Sequence, residues 1–277
     1  EGNLNNHIGV PLTLLRLKPY QEIGVIEMGA NHPGEIATLA EIAQPNWGLI
    51  TNFGKAHLEG FGSLEGVKRS KSELYVYLIK NKQNILINAD DSEQLKRNKE
   101  DKVASFGQTK QANYFWEKPQ SNSEEGLEIK FDGLSYQTKL YGTYNLSNLA
   151  AALAFGALFN VPTDGIQNAL LNFVSENNRS QIITIHHTQY VLDAYNANPT
   201  SMLAALQTFD KKAKSNKAVV LGDMLELGDT SAEEHQELVK LCLKLSFKKN
   251  TRKVLIIQIG ISAMSLSKAR GDSNWRT

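Results

Sequence analysis

The chain of 277 residues is short of cysteine, net charge, aromatic side chains and long apolar runs, and each shortage closes a class of function. Cys242 is its single cysteine, so no internal disulfide can form and a reducing cytoplasm is the expected compartment. Thirty basic and 29 acidic residues, interspersed, leave a net charge of +1. That balance gives no electrostatic footprint for nucleic acid or an anionic membrane. No apolar run approaches the ~20 residues of a membrane span, and no signal peptide pattern opens the sequence. A complete phosphate-binding loop is lacking too: Gly54-Lys55 comes near it, but Gly48 is one residue too distant and Ala56 cannot ligate magnesium.

What is present suffices for two ordinary domains, with 41% hydrophobic residues against 8% aromatic. Short apolar runs alternate with helical patterns. Glu22 to Met28 reads as a buried parallel strand, Gly48 to Asn52 as the next, Asn84 to Asn88 as a third and Val103 to Phe106 as a fourth. Such alternation predicts an α/β fold with a mostly parallel sheet. Alternating runs at Leu127 to Phe131 and Ser135 to Leu140, joined at Asp132-Gly133, predict an antiparallel hairpin at one edge, and Gln120 to Gly126 a loop. Helices follow from Asn145 and from Thr163, the latter capped by Thr163 or Asp164. The composition turns polar at Glu176 to Arg179, which sets a domain boundary and divides the chain into residues 1–178 and a smaller α/β domain, 179–277. In the second part the expected strands are Tyr190 to Asp193, Lys217 to Leu221 and Val254 to Ile259, with a helix entered at Pro199 and another from Ser231 to Leu245.

The stretch around which the rest is organised runs from His57 to Leu78. Ser63 can cap a helix whose apolar stripe passes through Leu64, Val67, Leu74, Tyr75 and Leu78, and Lys71 falls inside that stripe while Lys68 and Arg69 point to solvent. A lysine so aimed must find a partner, lose its proton or be modified. His57 and Glu27, each beyond an apolar run, are the candidates to meet it, because open α/β sheets place their chemistry at the carboxyl ends of strands. The plainer alternatives are a snorkelling lysine and a structural histidine.

Five segments in order carry a resemblance: GNLNNHIGVPLTLL (Gly2 to Leu15), VIEMGANHPGEI (Val25 to Ile36), HLEGFGSLEGVKRSKSEL (His57 to Leu74), DAYNANPTSM (Asp193 to Met202) and LGDMLELG (Leu221 to Gly228). Together they resemble the Mur ligase family, and within it the branch that adds D-alanyl-D-alanine to UDP-N-acetylmuramoyl-tripeptide. The resemblance implies a P-loop-type ATPase domain followed by a Rossmann-like domain, both incomplete, with the UDP-sugar domain and the phosphate loop lying before Glu1 and the tail Gly271 to Thr277 matching no family feature. It also implies ATP and two Mg²⁺ sites: Glu27 as one metal ligand, His57 as a ligand of the second, and Lys71 as the family's carbamylated lysine, facing the metal. Asn145 and Asn148 match adenine-contacting asparagines, with Tyr144 where the family usually has His. Arg179 matches the arginine that reaches the γ-phosphate. Its plainer alternative is a salt bridge. Asp193 matches the acid on the ribose hydroxyls, with Asn196 and Asn198 as supporting polar groups. Domain closure would assemble this site. Asp223, Glu226 and His235 are weaker candidates for the incoming dipeptide, Glu226 and His235 fitting a structural role better. The expected activity is a cytoplasmic, monomeric, ADP-forming amide ligase of cell-wall synthesis. A relative adding another amino acid or glutamate, and a non-catalytic fragment, are the alternatives.

Overall fold

In a computed structural model, residues 4–55, 57–97, 103–118, 126–176, 178–212, 217–245 and 253–257 are described. The tail Gly271 to Thr277 lies outside them, as does the expected loop at Gln120 save for Gly126. The chain divides into two compact units, Glu1–Phe115 and Trp116–Thr277.

The first unit contains α1 (Gly9–Leu15), α2 (Glu35–Ala43), β1 (Trp47–Gly48), α3 (Leu58–Phe61), α4 (Leu64–Lys80), β2 (Asn84–Asn88), α5 (Ser92–Arg97), β3 (Val103–Gly107) and the first half of β4 (Tyr114–Glu117). Its strands are all parallel, β1 to β2 with Gly48 opposite Ile85, β2 to β3 with Ile87 opposite Ser105, and β3 to β4 with Gly107 opposite Phe115. Helix α4 forms where its cap and stripe predict. Ser63 accepts the Gly66 N–H at 3.0 Å, Glu65 sits in the first turn and Lys80 in the last, and Val67, Tyr75 and Leu78 are buried. Leu74 packs against both apolar clusters of this unit, Ile50/Tyr75/Leu78/Ile85/Ile87 and Val10/Ile36/Leu39.

Two predicted strands differ. Glu22 to Met28 forms no strand and joins no ladder among the described residues. Only Ile26 and Met28 turn toward the Val10/Ile36/Leu39 cluster, while Val25 is 90% exposed. A strand needs a neighbour to take its backbone hydrogen bonds, and an apolar run by itself does not guarantee one. The Gly48 strand is short for a different reason. Its ladder stops at Gly48, and the backbone of Ile50 turns to side chains: its N–H donates to the Tyr75 hydroxyl at 3.3 Å and its carbonyl accepts from Gln94 Nε2 at 2.9 Å. Lys68 also differs, for α5 brings Glu93 within 3.2 Å and leaves the lysine side chain 19% exposed.

In the second unit the last half of β4 pairs antiparallel with β5 (Leu127–Phe131), and β5 with β6 (Leu134–Thr138). The Asp132-Gly133 turn has φ of 45° and 82°, both positive as a type I′ turn requires. After a 3₁₀ turn (Thr143–Asn145) come α6 (Leu146–Leu158) and α7 (Thr163–Asn172), whose Gln167 donates to the Gln137 carbonyl on β6. Neither Thr163 nor Asp164 caps α7. Pro162 holds the N-cap position, with no side-chain hydrogen bond. A four-stranded sheet follows in the order β7-β8-β10-β9, built from β7 (Gln181–Ile185), β8 (Thr188–Leu192), β9 (Lys217–Leu221) and β10 (Lys253–Ile257), with α8 (Pro199–Lys212) and α9 (Ser231–Lys244). β8, β10 and β9 are parallel, and β7 is an antiparallel edge strand that the sequence pattern did not predict.

Gln94, fully buried, holds the first unit's sheet to its helices: Oε1 accepts from Tyr75 Oη and the Asn88 N–H, and Nε2 donates to the Ile50 carbonyl and Asp91 Oδ2. Gln94→Met deletes these bonds inside an apolar setting, and urea unfolding should register a loss of about 3 kcal/mol.

Candidate functional site

Within the first unit, Glu27, His57 and Lys71 sit on segments that meet. Glu27 is exposed on the run before α2, and its Oε1 accepts from Asn5 Nδ2 at 3.1 Å. The loop that follows it runs to Asn31, and α3 presses on that loop so closely that a Cβ at Gly60 would lie 2.0 Å from the Asn31 carbonyl oxygen. His57, half-buried, is the residue from which α3 starts, with φ at +53°, a conformation uncommon for a side-chain-bearing residue. Helix α4 carries Lys71, packs on α2 and α3, and sends the Glu73 carboxylate to the Gly34 and Ala37 N–H groups at the start of α2 (2.8 and 3.0 Å). That carboxylate supplies the cap that Gly34 cannot.

Lys71 Nζ donates to the Asn52 carbonyl oxygen at 2.8 Å. Burial pulls its ammonium below the usual lysine range, and a carbonyl, which is neutral, does less than a carboxylate to hold the charge in place. Among the described residues no group of three or more His, Cys, Asp or Glu side chains could hold a metal ion. A Mg²⁺ site does not require one, since this ion is held by one or two protein oxygens completed by water and phosphate. The Glu27 carboxylate is a hard oxygen donor of that kind.

The second unit joins three of the other candidates, Asn145, Asn148 and Asp193, in one hydrogen-bonded cluster. Asp193 follows β8, and Ser180 precedes β7, the strand paired with it. Ser180 has φ of +53° and donates its N–H to Asp193 Oδ1 at 3.1 Å. Tyr144 donates its hydroxyl to Asp193 Oδ2 at 3.2 Å and lies 2.7 Å from Ser180 Oγ. Asn145 Nδ2 donates to the Tyr141 carbonyl (2.8 Å) and to Ser180 Oγ (3.4 Å), and Asn148 Nδ2 donates to Asn145 Oδ1 (3.3 Å). Arg179, exposed, stacks its guanidinium over the Tyr195 ring, 3.7 Å from the centroid, with its charge acting on Asp193. Asn196 is exposed, and Asn198 spends its Oδ1 on the Ser201 N–H at 2.9 Å as the cap of α8.

Burial raises the Asp193 carboxyl above its ordinary value, against the opposing pull of the Ser180 N–H, the Tyr144 hydroxyl and Arg179. Burial and the charge of Asp193 push Tyr141 up to about 12, and burial brings Cys242 to about 11, which keeps that thiol protonated and unreactive. Ser180, Tyr144 and Tyr195 are members of the cluster that motif reading did not single out as site residues. For Ser180 the only local signal is a small polar residue between Arg179 and Gln181, just ahead of Ile182-Ile183.

Of the weaker candidates, His235 clamps the loop after β9, and Glu226 lies in that loop with φ of +60°. His235 Nδ1 lies 2.7 Å from the Ser231 carbonyl, which can only accept, so Nδ1 carries the proton and Nε2 accepts the Met224 N–H at 3.0 Å. Asp223 Oδ1 stands 4.0 Å from Nε2.

A parallel α/β unit followed by a second sheet, with amide, carboxylate and guanidinium groups gathered beside its strand ends, defines an α/β protein with a polar candidate site where such folds place their chemistry. The Mur ligase middle domain matches residues 1–156, and the Mur ligase glutamate ligase domain residues 178–248. The chain belongs to the Mur ligase family. The UDP-N-acetylmuramoyl-tripeptide--D-alanyl-D-alanine ligase of Bacillus subtilis (strain 168) is 36% identical over 85% of the chain and 52% of its own length. Its namesake from Escherichia coli (strain K12) is 34% identical over 98% and 60%. Among solved structures, MurF from Acinetobacter baumannii superposes with a TM-score of 0.84 at 26% identity, covering 97% of this chain and 69% of that one. MurF ligase from Thermotoga maritima in complex with ADP shares the fold with a TM-score of 0.79 at 23% identity, covering 94% and 69%. The chain spans about half the length of the curated relatives it matches.

Two outcomes test the geometry. Gly60→Val should force α3 off the Asn31 loop and lower stability by about 2 kcal/mol in urea unfolding. For Asp193 the folded carboxyl titrates above the unfolded one, so its ionised form costs stability once pH rises through the folded value. Asp193→Asn should therefore raise Tm at pH 7, and the gain should vanish near pH 3 (about one unit below the usual Asp value).

Proposed function

We propose that the whole protein is an ATP-dependent ligase of cytoplasmic cell-wall synthesis that joins D-alanyl-D-alanine to UDP-N-acetylmuramoyl-tripeptide, serving cell shape and division. The observation that carries the reading is the convergence of Asn145, Asn148, Arg179 and Asp193, separated by up to 48 positions in sequence, on one cluster with amide, guanidinium and carboxylate groups. The identity to the Bacillus subtilis and Escherichia coli ligases over most of the chain supports the choice of substrate. We take the two family domains to meet near residue 178.

In this reading the γ-phosphoryl group of ATP passes to the terminal carboxylate of the tripeptide, and the amine of D-alanyl-D-alanine displaces phosphate from the acyl phosphate, leaving ADP, phosphate and the new amide. Asn145 and Asn148 offer a donor and an acceptor each to the adenine edge. Arg179 is already desolvated on one face by Tyr195 and turns its fork toward the phosphate chain. Asp193 takes the ribose hydroxyls, with Asn196 beside it. Glu27 and His57 would each hold a Mg²⁺ ion, completed by phosphate oxygens, which when bound supplies neutralisation of charge around the transferring group. Lys71, whose ammonium burial holds below the usual lysine range, can in its neutral form add through Nζ to CO₂ and release one proton, becoming an anionic carbamate. A cation aimed at the site would thereby become an oxygen donor.

Two measurements test this. ADP release by the whole protein should depend on D-alanyl-D-alanine and not on meso-diaminopimelate, lysine or glutamate. Equal response to any of the latter means a different branch of the family. With ¹³C-bicarbonate, a carbamate carbon resonance should appear and be absent from Lys71→Ala, whose turnover should fall about 100-fold and recover in part with small carboxylates. A Lys71→Ala protein with full turnover and no such recovery would refute the carbamate.

A further inference from the structure

Tyr144 occupies the position before Asn145, where the family usually has His, and its hydroxyl spans a long sequence distance to reach both Asp193 Oδ2 and Ser180 Oγ. The direction of each bond follows from the groups. A carboxylate only accepts, so the one phenolic hydrogen goes to Asp193, and the Ser180 hydroxyl hydrogen goes to the Tyr144 oxygen. Burial holds the phenol far above its ordinary titration range, so that hydrogen stays in place. The Ser180 N–H occupies the other oxygen of Asp193, and Ser180 Oγ accepts from Asn145. The ring cannot easily swing away. It lies over Gly142, whose φ is +88° and where a Cβ would come within 2.3 Å of a ring carbon.

Each carboxylate oxygen has about two acceptor sites. The Ser180 N–H on one oxygen and the Tyr144 hydroxyl on the other fix the carboxylate plane, with the Ser180 side chain also acting on it, and acceptor capacity is left over. We propose that Tyr144 is a positioning residue, whose hydroxyl orients the Asp193 carboxylate so that its remaining acceptor capacity receives the vicinal hydroxyls of the ribose of a bound nucleoside triphosphate. The proposal rests on the assignment of Asp193 to the ribose made above. It adds a link between base and sugar recognition, because the same chain of hydrogen bonds continues through Ser180 to Asn145, the group assigned to the adenine.

Equilibrium dissociation constants of the whole protein for ATP, 2′-deoxy-ATP and 3′-deoxy-ATP read the orientation directly. At least one deoxy analogue should bind about tenfold more weakly than ATP, as expected for losing a hydrogen bond to a charged group. In Tyr144→Phe, checked for folding by circular dichroism, that ratio should fall below about threefold, a change that a merely structural ring would not cause. Ser180→Ala, which leaves the ring untouched, should lower the ratio in the same direction and serves if the first variant does not fold. A folded variant that keeps the wild-type ratio overturns the positioning role while leaving the ribose contact intact. If the wild-type protein itself does not discriminate, and Asp193→Asn binds all three nucleotides alike with wild-type affinity, the assignment of Asp193 to the ribose fails, and the role of Tyr144 with it.

Discussion

Backbone groups buried beyond the last rung of a strand must still be hydrogen-bonded, and in this protein side chains from distant elements meet that requirement. β1 ends after Gly48, yet Ile50 remains in the core, and its N–H and carbonyl are taken by Tyr75 and Gln94. The carboxamide of Gln94 is fully buried and bonded at both ends, so it fixes the segment from Ile50 onward as firmly as a ladder would. Two residues further on, the Asn52 carbonyl receives Lys71. The environment of that lysine is thus shaped by a glutamine on α5, through a short piece of chain held at one end.

The same constraint operates in the second unit. Ser180, before β7, gives its N–H to Asp193, just after β8, and Met224, after β9, gives its N–H to His235 on α9. In each case the side chain that completes the backbone also bears a group able to contact a ligand. A fully paired β-strand end would be more stable in isolation and chemically inert. Here hydrogen-bonding capacity is left over: carboxylate acceptor sites on Asp193, the face of Arg179 opposite Tyr195, and the outer amide of Asn148. Strand ends in an open α/β sheet host chemistry for this reason, and both units illustrate it.

Much of this was legible from the sequence because it is written in local patterns. The α4 stripe, the Ser63 cap and the Asp132-Gly133 turn each depend on residues within a few positions of one another, and each formed as read. The hairpin of β7 and β8 was missed although its turn has the same backbone signs, because His186-His187, with φ of 45° and 66°, carries none of the usual Asn-Gly or Asp-Gly wording. The apolar run at Val25 reads as a buried strand and is neither, since pairing is a property of a second strand. Ser180 and the hydroxyl contacts of Tyr144 were out of reach for the same reason. They are polar contacts between residues 13 to 49 positions apart, which leave no periodic trace in either segment.

The charges that matter most are held in a half-desolvated state, and the two units do so with opposite signs. Lys71 is stripped of water and given only a neutral carbonyl, which lowers its hold on a proton. Asp193 is stripped of water and given an N–H and a hydroxyl, which compensate only in part, so its carboxyl titrates high. Neither arrangement favours folding, because burial disfavours the charged form of each group and its partners offset that only in part. Their common feature is reactivity kept in reserve: an amine that is easier to deprotonate, and a carboxylate whose remaining lone pairs are worth more to an incoming donor than to water. Structural ion pairs such as Lys68 with Glu93, at 3.2 Å, look different, for there each charge faces one of opposite sign. The contrast between satisfied and under-satisfied charge, rather than burial by itself, is what separates the candidate site from the rest of the polar framework.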